Sequence, residues 1–123
     1  MASPNLIAAN TILGKTTGLI LANTTTQIVL NNPSGSGKTF KVNTLNLANF
    51  GASAVASTLA FYTQASLAGS ALFITANTSI PAGVTLNIID KSSQYYLEEN
   101  TSLGVSAASA NIISVTCSYE DIS

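Results

Sequence analysis

The sequence predicts an all-β protein, folded as an antiparallel β-sandwich with a jelly-roll-like topology. Three observations predict this fold class. Apolar and polar residues alternate in several short segments, turn-forming residues recur about every ten positions, and no window has the periodicity of a long amphipathic helix. The length of 123 residues fits one domain of this type. We therefore predict a single β-sandwich domain over residues 1–123.

The N-terminal segment differs from the rest, because its apolar pairs are separated by polar residues and show no clear strand alternation. One interpretation is a first strand of the same sandwich, since ordered chain ends are usually tied into a sheet. The other is an extended arm, residues 1–14, that adds to the sheet edge of a neighbouring subunit. The apolar residues of this segment are therefore the predicted interface residues. They are Leu6, Ile7, Ile12 and Leu13.

The next long apolar segment changes parity in its middle. Phe40 and Val42 share one parity, whereas Leu45 and Leu47 share the other. Either a β-bulge lies near Asn43-Thr44, or the strand is covered on both faces.

The later strands are predicted from alternation, which is clearest near the C-terminus. The residues predicted to face the core from the last strand are Ile113, Val115, Cys117 and Tyr119. Those predicted to share one face after Ala71 are Leu72, Ile74, Ala76 and Ile80. Turn-forming residues punctuate the chain at 31–37, 49–51, 68–70, 81–83, 90–93 and 99–101.

The composition excludes several classes of function. Only 7% of residues are charged, against about 25% in ordinary soluble domains, and the formal net charge is −1. Four scattered lysines and no arginine create no basic patch, so we expect neither a nucleic acid nor a membrane as partner. Few charges also mean that little has to be desolvated when copies pack side by side. A homo-oligomer is the resulting expectation.

One segment resembles a phosphate-binding loop but departs from its pattern. Gly37-Lys38-Thr39 matches the end of such a loop, whereas Asn32 occupies the position of its leading glycine. The mechanism also needs a helix after the loop, and Phe40 to Asn43 are typical of a strand. We predict a hairpin loop that binds no nucleotide, and no cofactor elsewhere.

The chain offers little for catalysis. It has no histidine, so histidine-based triads and histidine metal sites are impossible. Adjacent Glu98 and Glu99 are expected to point to opposite faces of a strand, and Glu120 and Asp121 are expected to be solvated or paired with lysine. We predict no catalytic residues, no metal site and no enzymatic activity.

The single cysteine, Cys117, excludes an intrachain disulfide, and the N-terminus lacks a signal-peptide pattern, so folding in a cytoplasm is expected.

The second half of the chain resembles small β-sandwich virion proteins of tailed bacteriophages, those of cyanophages in particular. The resemblance lies in the strand-and-turn cadence of residues 80–90, 94–105 and 118–122, with a similar lead-in at 38–43. It implies a protein that is assembled in the host cytoplasm and displayed on the virion surface.

The function implied by this resemblance is that of a capsid decoration or cement protein, which coats and stabilises the particle. A tail-associated structural component and a carbohydrate-binding or adhesive module are the alternatives. The implied partners are further copies of the chain, with a trimer as the favoured oligomer, and the major capsid or tail protein of the particle.

Overall fold

The computed structural model describes residues 9–123, which form two antiparallel sheets. The strands are β1 (Ile12–Ile20), β2 (Gln27–Asn32), β3 (Thr39–Asn49), β4 (Val55–Gln64), β5 (Ala68–Ile80), β6 (Thr85–Ile89), β7 (Tyr95–Leu97), β8 (Thr101–Ala107) and β9 (Ile113–Ile122). A short 3-10 turn, Ala65–Leu67, joins β4 to β5. Within residues 9–123, no helix has the length and apolar character needed to cross a membrane.

The strand order confirms the predicted jelly-roll sandwich. The first sheet has the order β1-β9-β3-β6, and β7 pairs with β3 beyond the end of β6. The second sheet has the order β2-β8-β4-β5. The chain crosses between the sheets repeatedly, so strands distant in sequence become neighbours and enclose one core. This arrangement places β1 and β2 at one flank of the sandwich and β5, β6 and β7 at the opposite flank.

A β-bulge in β3 explains the parity change in the sequence. The register between β3 and β9 shifts between Val42 and Thr44. Because of this shift Leu45 faces the same side as Val42, although the two residues differ in parity. Both side chains, like those of Phe40 and Leu47, are buried in the core. The predicted bulge is confirmed.

The last strand lies centrally in the first sheet and supplies much of the core. Ile113, Val115 and Cys117 are fully or almost fully buried, as the alternation predicted. Tyr119 is half-buried and packs against Phe40, with 5.2 Å between the ring centroids. A strand with neighbours on both edges and a covered inner face follows simple alternation closely.

The prediction of a single buried face for the strand after Ala71 is wrong. Leu72 and Ala76 are exposed, whereas Ile80 at the end of the same strand is buried. The register between β4 and β5 shifts at three places, and Asn77 has a φ of 47°. Each irregularity changes which residues face inward, so parity counted along the sequence does not persist through β5.

Candidate functional site

The loop that resembles a phosphate-binding loop connects β2 directly to β3. Thr39 is already the first residue of β3, so a strand stands where phosphate binding requires a helix. The backbone N–H of Gly35 donates to Oε2 of Glu99 at 3.0 Å. Asn32 donates through Nδ2 to the carbonyl of Lys38 at 2.9 Å. The loop is therefore held by the protein's own side chains.

Asp121 is the centre of a small ionic cluster at one end of the sandwich. Its Oδ2 atom lies 2.9 Å from Nζ of Lys15 and 3.2 Å from Nζ of Lys38. The Asp121 side chain is 4% exposed, whereas both lysine side chains are more than 40% exposed. Burial raises the pKa of Asp121, but the hydrogen bonds and charges of the two lysines outweigh that effect and leave the pKa below its ordinary value. The two lysines therefore favour the charged form of this buried carboxylate.

The remaining acidic residues are dispersed. Asp90 accepts hydrogen bonds from Ser92 in the turn after β6. Glu120 lies 3.7 Å from the ammonium group of Lys41 on the surface. Among residues 9–123, no three acidic or cysteine side chains come close enough together to hold a metal ion.

Cys117 is enclosed in the core between the two sheets. Its side chain is fully buried, and burial raises the pKa of the thiol to about 12. The thiolate is the reactive form of cysteine, so burial and the raised pKa both disfavour reaction of this thiol in the folded chain.

The outer edge of β1 is the first surface with a distinctive character. We call the residues Ile12–Ile20 on this side of the first sheet the β1 edge. The strand pairs with β9 over nine consecutive residues without a register shift. Ile12, Leu13 and Ile20 are all about half exposed on this strand. A regular, largely uncharged edge strand of this length is a template for pairing with another chain.

The other edges of the sandwich are less suited to pairing. The register of β2 shifts between Ile28 and Leu30, and β5 is interrupted three times. β6 and β7 have only five and three residues. Bulges and short length are common ways in which proteins protect sheet edges.

The second distinctive surface lies at the opposite flank and is rich in aromatic side chains. It is a groove of about 270 Å³ between the edges of the two sheets. We call it the aromatic flank. Its lining residues are Phe61, Leu72, Phe73, Ile74, Tyr95 and Tyr96. Phe73 is 66% exposed and Leu72 54%, so the patch is open to contact with another molecule.

Two of the four predicted interface residues lie on the β1 edge. Ile12 and Leu13 lie at the start of β1 and are exposed on the β1 edge. Leu6 and Ile7 lie outside the described residues.

The aromatic flank was missed by the sequence reasoning because its members come from three strands. The adjacent tyrosines Tyr95 and Tyr96 were the available signal, since a pair with opposite parity leaves at least one ring outside the core, and here both rings are exposed.

The comparisons with known proteins give a likeness to a solved structure but no match to a family. No family model and no curated protein match the chain. It is similar to a structure from work reporting that Bacillus endospore appendages form a family of disulfide-linked pili, with a TM-score of 0.54. The two chains are 13% identical, and the likeness covers 98% of this chain and 95% of that one. At this identity the likeness establishes a shared fold.

Proposed function

We propose that this chain is a non-catalytic structural protein that works in many copies on the surface of a phage virion, as a capsid decoration or cement protein. The observation that carries the proposal is the pair of apolar surfaces at opposite flanks of a nearly uncharged domain, the β1 edge and the aromatic flank. A subunit with two such surfaces can contact a second copy through one and the particle through the other. The proposal names a phage virion because of the resemblance of the sequence to virion proteins.

The likeness to the endospore appendage supports the general part of this proposal, because a chain of the same fold is there reported in a pilus. The linkage in this protein must differ from the disulfide linkage reported for that one. Its single cysteine is Cys117, which is buried. Assembly of this chain therefore rests on non-covalent contacts.

A second candidate is a carbohydrate-binding or adhesive module, which the aromatic flank favours. Phe73, Tyr95 and Tyr96 expose ring surface beside one groove, and sugars stack on such rings. Substitution of Tyr96 by Ala should then abolish binding to a glycan array.

The proposal is tested on virus particles and surface filaments purified from cultures in which this sequence is expressed from its own genome. Quantitative mass spectrometry should find the chain in a fixed ratio to the major capsid protein, and gold-labelled antibody should mark the capsid surface. Label on the tail would favour the tail-associated alternative. Absence from the particles, combined with glycan binding that needs Tyr96, would favour the adhesive module. Label on a filament outside any virion would contradict the virion proposal and indicate that the chain is a subunit of an appendage.

A further inference from the structure

We propose that the β1 edge is a two-fold, self-complementary interface, in which β1 of one copy pairs antiparallel with β1 of a second copy about Thr16. This inference rests on the proposed function, because it names the surface through which copies would contact each other. It would join the first sheets of two protomers into one continuous sheet. Three properties of the strand lead to it.

The first property is the sequence of β1, which reads Ile-Leu-Gly-Lys-Thr-Thr-Gly-Leu-Ile. Apart from Lys15 and Thr17, it is the same in both directions. When two such strands run antiparallel with Thr16 opposite its own counterpart, like residues face each other. The facing pairs are Ile12 with Ile20, Leu13 with Leu19, Gly14 with Gly18, and Thr16 with Thr16.

The second property is the direction of the backbone hydrogen-bonding groups. Thr11 and Ser123 exchange both of their backbone bonds, and Leu21 donates to Ile113. Because the register between them is unbroken, the odd-numbered residues of β1 point their N–H and C=O groups toward β9. The even-numbered residues, from Ile12 to Ile20, therefore point theirs outward.

This alternation matches the two-fold arrangement. With Thr16 opposite Thr16, every outward-pointing residue of one copy faces an outward-pointing residue of the other. Each facing pair can then exchange two backbone bonds, as the hydrogen-bonded pairs of an antiparallel ladder do. A register displaced by a single residue would set outward-pointing groups against inward-pointing ones.

The third property is the fit of the side chains. Ile12 and Ile20, exposed by 58% and 54%, lie on the outer face with Thr16, and pairing brings Ile12 of each copy against Ile20 of the other. Lys15 faces Thr17 in this arrangement and is already bonded to Asp121 of its own chain at 2.9 Å. No like charges are directly opposed. The two Lys15 residues are diagonal neighbours across the two-fold axis, and each is held by Asp121 of its own chain. The apolar and Thr–Thr pairs are of the kind that stabilise neighbouring strands.

The symmetry has a consequence for the oligomer. A contact that joins the same surface on both copies is two-fold, so it builds a dimer or an assembly of dimers and has no place inside a three-fold ring. Because the edge of one strand is a small interface, we expect a dimer with a micromolar dissociation constant. Its apparent affinity should increase when many copies are bound to one lattice.

The test uses the full chain and two variants of the residue on the two-fold axis, Thr16→Lys and Thr16→Glu. Each alone places like charges directly opposite, so the dimer dissociation constant from sedimentation velocity should rise about tenfold or more. An equimolar mixture places opposite charges together and should dimerise at least as well as the wild type. Thr85→Lys, an exposed threonine of β6 at the far edge of the same sheet, is the matched control and should leave the dimer unchanged.

Loss of dimer in each Thr16 variant with recovery in the mixture supports the pairing, since a misfolded chain would not recover on mixing. The pairing would be overturned if the wild type formed a dimer or trimer that both Thr16 variants left intact. The chain would then still self-associate, but through another surface. A wild type that stays monomeric at hundreds of micromolar would also overturn the pairing. The particle experiment above then decides separately whether the chain is a virion component.

Discussion

At the scale of single residues, Asp121 is a buried ionisable group that two lysines neutralise. It is buried at the end of β9, where the ammonium groups of Lys15 and Lys38 reach its carboxylate. The lysine ends are partly in water, so the cluster is screened and its net contribution is modest. Its pKa is lowered on folding, so the contribution is present above the ordinary pKa of an unfolded aspartate and is lost as the pH falls through the folded value.

The variant Asp121→Asn should lower the free energy of unfolding at pH 7 by about 1 kcal/mol, because it removes the charge that both lysines neutralise. Urea unfolding measures this cost. The difference from the wild type should persist down to about pH 5 and shrink below about pH 4. Glu120→Gln, next to it in sequence but with a side chain that is 33% exposed, should cost less than about 0.5 kcal/mol at pH 7. A difference at pH 3 as large as at pH 7 would contradict this role of the carboxylate.

Cys117 should not react with a thiol reagent in the native protein, because the thiol is buried and its pKa is about 12. Its reaction with an aromatic disulfide reagent at pH 8 is followed by absorbance. One thiol per chain should appear only after denaturant is added. Thr85→Cys provides an exposed thiol as the control and should react at once. Rapid labelling of the native wild type would mean that the core opens around β9.

At the scale of elements, β9 is a strand whose inner and outer faces are clearly separated from Ile113 to Cys117. Val115 is 1% exposed on its inner face, and the next residue, Thr116, is exposed on the outer face. Val115→Asp should therefore cost several kcal/mol, enough to unfold a marginal domain, because it buries a charge without a partner. Thr116→Asp is the matched control and should change the melting temperature little. Circular dichroism during heating separates the two, and equal melting curves would contradict the assignment of faces.

The elements differ in how far the sequence predicts them. Alternation predicted the inner face of β9, and the parity change in β3 allowed either a bulge or a strand covered on both faces, of which the structure has the bulge. Both strands lie centrally in one sheet and are covered by the other. Alternation failed in β5, an edge strand where three register shifts change the inward residues. β1 had no readable alternation for a related reason. It contacts the core only near Leu19, so burial did not select apolar residues along its length.

At the scale of the whole molecule, the two apolar surfaces were only partly predictable. Ile12 and Leu13, which the sequence analysis named as candidate interface residues, lie exposed on the β1 edge, and their role in an interface stays a prediction. The aromatic flank joins Phe61 of β4 to Tyr95 of β7, a proximity that depends on how the two sheets align. No local pattern in the sequence carries that alignment. The nearly palindromic order of residues in β1 is visible in the sequence alone, but it suggests pairing between copies only once β1 is known to be an edge strand.

The central claim, that this chain is a subunit which assembles through apolar, non-covalent contacts, is tested most directly by sedimentation velocity of the wild-type protein over a wide concentration range. The average mass should rise above the 12.6 kDa of one chain as the concentration increases. It should not fall in 1 M NaCl, because contacts between uncharged surfaces are not screened by salt. Reducing agent should have no effect, since the only thiol is buried. A single species of 12.6 kDa at every concentration and salt level would contradict the claim.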